Sequence, residues 1–424
     1  MALTGKVCLL LPILLWGGCH GEQATPSTPG KVLLIGLDGA EWDLIRPMAA
    51  AGELPNLKRI METGAQGNLR SLEPPAVSPT IWTTIATGKS PSEHGIGAFV
   101  GGEQNQPMTS NTRAVRAIWN IASMAGRTTG VVGWLVSWPA EKVNGFVVSA
   151  YVQYGGTAKE EKEGRTGWTY PAELADEIVP LVVNPEAVPW SFVERFLDAP
   201  IDKTARGGDL ERPLTQIERA GAADLSFTRI AEKLYRERRP DFFAVYLRGM
   251  DSMGHTFWNT MRPEATPSDR LDPGGLTYFK GTMRAYYRFT DELIGRIVKL
   301  ADDRTTIVVV SDHGFKGGPG GGVELHKLDG VIMMTGHNVR RGQITGASVY
   351  DVTPTLLVLL GLRPAKDMRG KVIWSALDPA IPRDRFTPVI GTYEPKNRGA
   401  PGAPLRSPAD DELTEQLRAL GYLE

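Results

Sequence analysis

Six short apolar runs punctuate the chain at intervals filled by helix-like segments, and this alternation leaves few folds open. They are Lys31–Leu37, Thr129–Val136, Gly145–Val152, Phe242–Leu247, Thr305–Val310 and Val331–Thr335. The first, KVLLIGL, is apolar at nearly every position, as a strand covered on both faces must be. Helical patterns lie between the runs at Glu41–Ala51, Leu54–Glu62, Arg113–Ala125, Ala222–Arg236, Leu276–Leu300 and Val349–Leu360. Such alternation predicts an α/β fold, a doubly wound and mostly parallel central sheet with helices on both faces.

At 424 residues, 42% hydrophobic and 22% charged, the chain can bury one large α/β domain with an insertion, or two domains. A formal net charge of -1 offers no electrostatic attraction for a nucleic acid polymer, and none is expected as partner. Residues 31–375 carry the alternating pattern. Residues 152–220 break it, being rich in Gly, Pro, Glu and Lys with scattered aromatics such as Trp168, Trp190 and Phe192. They are expected to form a cap insertion over the active edge of the sheet and to hold the determinants of substrate choice. Residues 376–424 form a C-terminal extension. Its Pro- and Arg-rich part, 376–408, is expected to run extended over the surface, and Asp410–Leu420 reads as an amphipathic helix.

Residues 1–30 stand apart as a signal peptide and linker. Val7–Trp16 is a mostly apolar run of about ten residues, Gly17-Gly18-Cys19 follows, and Glu22–Pro29 is polar and Pro-rich. The run is too short to span a bilayer. Cys19 after two glycines resembles a bacterial lipobox, with Trp16 at a place usually held by Leu. Export with lipid anchoring at Cys19, on the periplasmic or outer face of a membrane, is the expectation; ordinary cleaved secretion and a retained anchor are the alternatives. Cys8 lies inside the apolar run, so cleavage leaves at most one cysteine and no internal disulfide.

The polar residues that end the apolar runs carry the chemistry. Ligand sites in doubly wound sheets form beyond the carboxyl ends of the strands. Asp38, Asp312 and His313 fall at such ends, and Asp251 follows FFAVYL by a short turn. His255 lies four residues beyond Asp251, on the same face if the segment is helical. His326 follows a Gly-rich loop. Ser78 precedes Pro79 and the helix-like run Thr80–Ala86, where free amides and the helix dipole favour an anionic group. Each has a plainer reading: Asp38 and Ser78 as helix caps, His326 as a surface loop histidine. Two adjacent titratable residues such as Asp312 and His313 after a Val-rich strand are costly to bury without a partner or a metal, however. Together the set supplies three carboxylates, three imidazoles and a hydroxyl, which suits two divalent ions and a nucleophile.

In this order GLDG, SPTIWTTIATGKSPSEHGI, YLRGMDSMGHTFW, VVVSDHGF and LHKLDGVIM resemble the alkaline phosphatase superfamily, and within it the type I phosphodiesterase/nucleotide pyrophosphatase family, over about residues 31–375. The resemblance implies two zinc ions. Asp38, Asp312 and His313, with the oxygen of Ser78, would hold one; Asp251, His255 and His326 would hold the other. Manganese or iron would also be served by such donors. Ser78 falls at the family's nucleophile, where many relatives have Thr; Thr80 is the rival. The implied activity is hydrolysis of a small-molecule phosphate ester through a phosphoseryl intermediate.

Two departures narrow this. Nucleotide-cleaving relatives have an Asn shortly after the His-Gly-Ile motif, but His94-Gly95-Ile96 is followed here by Gly97-Ala98-Phe99. Sulfatases need Pro and Arg two and four residues after the catalytic position, where this chain has Thr80 and Trp82. Arg248 could hold a phosphate oxygen or cap a helix; Lys89 and Arg70 are undetermined. His94, His337 and Asp351 are read as structural. A phosphoryl-group or phosphoethanolamine-type transferase acting on an envelope lipid or glycan would need the same metal ligands. A mutase-like isomerase fits the signal peptide poorly, and a binding protein without turnover leaves the hydroxyl unexplained.

Overall fold

The computed structural model describes residues 29–102, 105–154, 163–261, 277–318, 322–387, 389–396 and 399–423. The expected signal and Cys19 lie outside the described residues. Nine strands form the main sheet: β1 (Lys31–Leu37), β2 (Ala65–Arg70), β3 (Thr129–Val132), β4 (Gly145–Val148), β5 (Thr169–Tyr170), β6 (Phe242–Leu247), β7 (Thr305–Val310), β8 (Asp329–Gly336) and β9 (Gly342–Ser348), in the order β9-β2-β8-β7-β1-β6-β3-β4-β5. The five strands from β7 to β4 are mutually parallel. Two strands run against them: β8 lies antiparallel to both β7 and β2, and β5 lies antiparallel to β4.

The helices used below are α1 (Trp42–Ala50), α2 (Pro55–Thr63), α3 (Ser78–Thr87), α4 (Ile118–Met124), α5 (Glu211–Arg238), α6 (Gly249–Phe257), α7 (Thr282–Val298), α8 (Val352–Leu359) and α9 (Asp410–Leu420). Side chains of β1 divide by parity. Leu33, Ile35 and Leu37 enter one core with residues of α1, α2, α5 and α7; Val32 and Leu34 enter the other with residues of α3, α4 and α8. A strand with an apolar core on each face has no polar side, which is why KVLLIGL reads as a continuous run. The doubly wound α/β expectation is correct.

The differences have local causes. β2 (AQGNLR) and β9 (GQITGAS) are missing from the sequence reading because each buries a single large apolar residue, Leu69 and Ile344, beside Ala or Gly, which gives no hydrophobic alternation. Helix α5 begins eleven residues before the expected Ala222. Pro213 sits in its first turn, where no backbone hydrogen bond is lost. Gly221 is needed because a Cβ there would meet the Phe192 ring at 2.4 Å. Rather than standing over the active edge, the described part of 152–220 wraps one flank: Trp168, Leu174, Ile178, Phe192 and Phe196 are buried in the α5/α7 core. No helix among the described residues is long and apolar enough to cross a membrane.

Candidate active site and metal centre

Four connections bring the predicted residues to one end of the sheet. Asp38 follows β1, and Gly39 after it takes φ +69°, turning the chain so tightly that an added Cβ would lie 3.1 Å from the Asp251 Cα. Asp251 and His255 share a face of α6, which starts two residues after β6 ends, and His255 Nε2 is 3.2 Å from Asp251 Oδ1. Asp312 and His313 follow β7. Because β8 runs the other way, His326, just upstream of it, arrives at the same end. Ser78 is the first residue of α3 and donates to Asp38 Oδ1 at 3.4 Å. All seven residues are buried, at 5% exposure or less.

Their donor atoms converge in two groups. Asp38, Asp312 and His313 each offer an atom within 4.8 Å of the others'. His313 Nε2 lies 3.4 Å from Asp38 Oδ1 and 3.5 Å from Asp312 Oδ2, with no hydrogen bond to either, and Asp312 Oδ2 has no hydrogen-bond partner. In the second group His255 Nε2 and His326 Nε2 are 3.3 Å apart, and His326 Nε2 is 3.5 Å from Asp251 Oδ1. Donors around one zinc ion at ~2.0–2.1 Å are separated by ~3.3 Å, so this spacing fits a metal. His313 also faces the second group: it lies 3.6 Å from Asp251 Oδ1 and its ring stacks on His326 at 3.5 Å.

The electrostatics fit a cation as well. Burial and the neighbouring Asp38 carboxylate push Asp312 well above the usual carboxylate range. Burial opposes a charge on His313, but Asp312, Asp38 and Asp251 overcome it and raise the imidazole to about 10. Burial and the charge of His313 depress His326 to about 3. Burial likewise opposes the Asp251 anion, yet His255 and His326 hold its carboxyl well below the usual range. Three crowded carboxylates thus favour protons on Asp312 and His313, a charge compensation that a divalent ion would supply instead.

Other residues complete the wall. Tyr246 donates its hydroxyl to Asp38 Oδ2. Arg248 donates to the Tyr154 hydroxyl and to Gln416 Oε1, and shares with Asp38 and Ser78 a cavity of about 60 Å³. That cavity is otherwise largely apolar, lined by Phe99, Met108, Leu135 and Val136 and, from the C-terminal extension, by Leu413, Leu417, Leu420 and Tyr422. Among the described residues of 152–220, Tyr154 lines it, so its outer wall comes from the C-terminal extension instead. The Tyr422 hydroxyl reaches the second donor group, 2.7 Å from His255 Nε2. Sequence reasoning missed Tyr246 and Tyr422. A tyrosine near the end of the otherwise apolar FFAVYL was a usable signal for the first; nothing local marks the second.

The residues set aside are structural. His94 accepts from the Ile96 N–H and pairs with Thr84 Oγ1, while burial and Arg113 lower its pKa to about 4. Asp351 accepts from the Ser348 and Lys371 amides. Lys89 bonds Asp367, and Arg70 pairs with Glu73 on the surface. Thr80, the rival nucleophile, is buried in α3 with its hydroxyl unpaired.

Solved structures that match the chain include a 2-O GAG sulfatase (11% identity, 81% of this chain and 73% of that one, TM-score 0.49). A candidate sulfatase from Bacteroides thetaiotaomicron is 11% identical over 82% of this chain and 75% of that one, at TM-score 0.51. Phosphonoacetate hydrolase from Sinorhizobium meliloti is 18% identical over 68% and 58%, at TM-score 0.36. The candidate sulfatase shares the fold; at such identity the likeness carries no activity. None of the curated proteins matches the chain in sequence. Residues 32–371 do match a family, and over that span, which holds every residue of the cluster, the chain belongs to the type I phosphodiesterase/nucleotide pyrophosphatase family of the alkaline phosphatase superfamily.

Proposed function

We propose that the protein hydrolyses small-molecule phosphate esters, diesters ahead of monoesters, through a phosphoseryl intermediate on Ser78. The observation that carries this is the placement of one buried hydroxyl, Ser78 Oγ, at the N-terminus of α3 and against Asp38, at the edge of the converging carboxylates and imidazoles. Two divalent ions, most simply zinc, held by Asp38, Ser78, Asp312 and His313 and by Asp251, His255 and His326, would supply Lewis acidity to the Ser78 oxygen and to the departing oxygen.

The chain's own residues account for the rest. In the first turn of α3 Pro79 has no N–H and the Thr80 and Ile81 amides donate to Val77 O, so help to the phosphoryl oxygens from this helix end would come from the Ser78 amide and the helix dipole. Arg248 would hold another of those oxygens, a role supported by its lining the same cavity as Ser78. The Ser78 oxygen forms a bond to phosphorus as the ester oxygen leaves and takes up a proton as the alcohol. Water then attacks the same phosphorus, the Ser78–phosphorus bond breaks, and the hydroxyl is restored. Phe99, near the place where nucleotide-cleaving relatives carry Asn, presents an apolar ring to the cavity, which supports an apolar organic arm over a nucleoside.

A panel of aryl phosphomonoesters, phosphodiesters, phosphonates and sulfates tests the reading: diesters should be turned over fastest, releasing the free alcohol. Fastest turnover of sulfates, or a modified acceptor in place of free product, would move the protein to a sulfatase or to a transferase acting on an envelope lipid or glycan. Export and lipid anchoring complete the proposal. Cys19→Ser should shift the protein from the membrane to the soluble fraction, and equal membrane recovery of both forms would refute the anchor.

A further inference from the structure

The proposed chemistry leaves Tyr422 unused, although its hydroxyl lies inside the second donor group. It is 2.7 Å from His255 Nε2, 3.1 Å from His326 Nε2 and 3.3 Å from Asp251 Oδ1. Those three atoms are themselves 3.2, 3.3 and 3.5 Å apart. Four atoms with these six separations form a compact tetrahedron. Four donors around one ion at ~2.0–2.1 Å would stand ~3.3 Å apart, and the phenol oxygen takes the vertex that Asp251, His255 and His326 leave open.

Its position is built from several contacts. Helix α9 buries Leu413, Leu417 and Leu420, and Gln416 accepts from Arg248. Gly421, at φ +83°, ends the helix and turns the chain inward. The Tyr422 ring packs on Phe99 with centroids 4.6 Å apart. With the segment seated, the cavity beside Ser78 keeps about 60 Å³.

We propose that Tyr422 is a fourth protein donor to the ion held by Asp251, His255 and His326, and that residues 410–423 compete with substrate for that position. The inference rests on the two-ion reading given above. Substrate would have to displace the phenol oxygen before its own leaving oxygen could be bound, so the segment sets a threshold that only well-bound esters cross. A three-residue donor set with an open fourth position is the form of a catalytic site, and a fourth protein donor the form of a structural one. Tyr422 would convert one into the other reversibly.

The test uses the full chain reconstituted with cobalt(II), as wild type, Tyr422→Phe and Asp251→Ala. Tyr422→Phe keeps the ring against Phe99 and removes only the oxygen. It should alter the visible cobalt spectrum and weaken cobalt binding at one centre by about tenfold or more. Inorganic phosphate, titrated through the same band, should bind at least several-fold more tightly. If Asp251→Ala loses one cobalt while Tyr422→Phe matches wild type in spectrum and cobalt affinity, the donor role is wrong and the two-ion reading stands. If Tyr422→Phe changes the spectrum but not phosphate affinity, the competition is refuted. If Asp251→Ala still binds two cobalt ions, the metal reading fails and the Tyr422 inference fails with it.

Discussion

The donor cluster and the segment that covers it meet at one cavity but are held by different means. Asp38, Asp312 and His313 are fixed to the ends of β1 and β7, strands at the centre of the sheet, and β1 buries side chains in cores on both of its faces. The cover hangs on a single helix with three buried leucines and a few polar ties, including Tyr151 to Asp410 at 3.3 Å and Arg219 to Glu415 at 3.6 Å. Every cluster residue lies within the family match, which ends at residue 371, whereas α9 lies beyond it. Under the proposed function, chemistry that needs donors held to a few tenths of an ångström would sit on strands packed on both faces, and the wall that meets the organic part of a substrate on one terminal helix. Reaction type and substrate choice can then change independently.

The sharpest way to break this division is at Ser78. Ser78→Ala should lose about 10²–10⁴-fold or more in turnover and all of its trapped phosphoserine, with metal content nearly intact because six ligands remain. Ser78→Thr should keep measurable activity. Full activity in Ser78→Ala with loss in Thr80→Ala would put the nucleophile two residues away. Next in size, Asp251→Ala or His255→Ala should reduce bound metal from two ions per chain to one and abolish turnover, with the circular dichroism of the fold retained. Full activity with two ions bound would detach the chemistry from α6.

The cover should respond differently. Leu417→Ala removes a side chain with 2% exposure and should cost α9 about 2–5 kcal/mol of local stability. Hydrogen exchange should then speed up across 410–423 and stay unchanged in β1; equal acceleration in both would show that cover and core unfold as one unit. The smallest effect concerns Asp224, which accepts from the Arg248 and Gly249 amides and from the Tyr286 hydroxyl and so fixes the start of α6. Burial raises its carboxyl from 3.8 to about 7. The folded state holds this proton more tightly than the unfolded chain, so the contribution to stability is complete below pH 3.8 and is lost as pH rises through about 7. Asp224→Asn should flatten that part of the pH dependence of the unfolding midpoint by a few °C at most; an unchanged slope would place the titration elsewhere.

What the sequence shows and hides follows the same division. A charged residue directly after an apolar strand is exceptional, so Asp38 and the Asp312-His313 pair are visible from pattern alone. Asp251 and His255 are visible through the four-residue period of a helix. β2 and β9 escape because each has only one large inward residue, Leu69 and Ile344, and the flank position of the described part of 152–220 escapes because aromatics scattered through Gly- and Pro-rich sequence carry no period. The amphipathic pattern of α9 predicts a helix with one buried face, yet amphipathicity specifies burial and not the surface that provides it. Tyr422 therefore gains its meaning only from tertiary structure.

One reversed strand has a consequence for how the two centres fill. β7 and β8 are antiparallel neighbours, and the chain between them closes through a short ladder that pairs Gly314 with Lys327 and Phe315 with His326. Asp312 and His313 stand on one arm of this hairpin and His326 on the other, so a single local unit serves both donor groups. Under the two-ion reading, an ion held by Asp312 and His313 would restrain the hairpin that also carries His326, and so remove part of the entropic cost for the second. Occupancy should therefore be cooperative, with few molecules holding one ion, and dilution or a chelator should switch the protein between empty and fully loaded states over a narrow range of free metal.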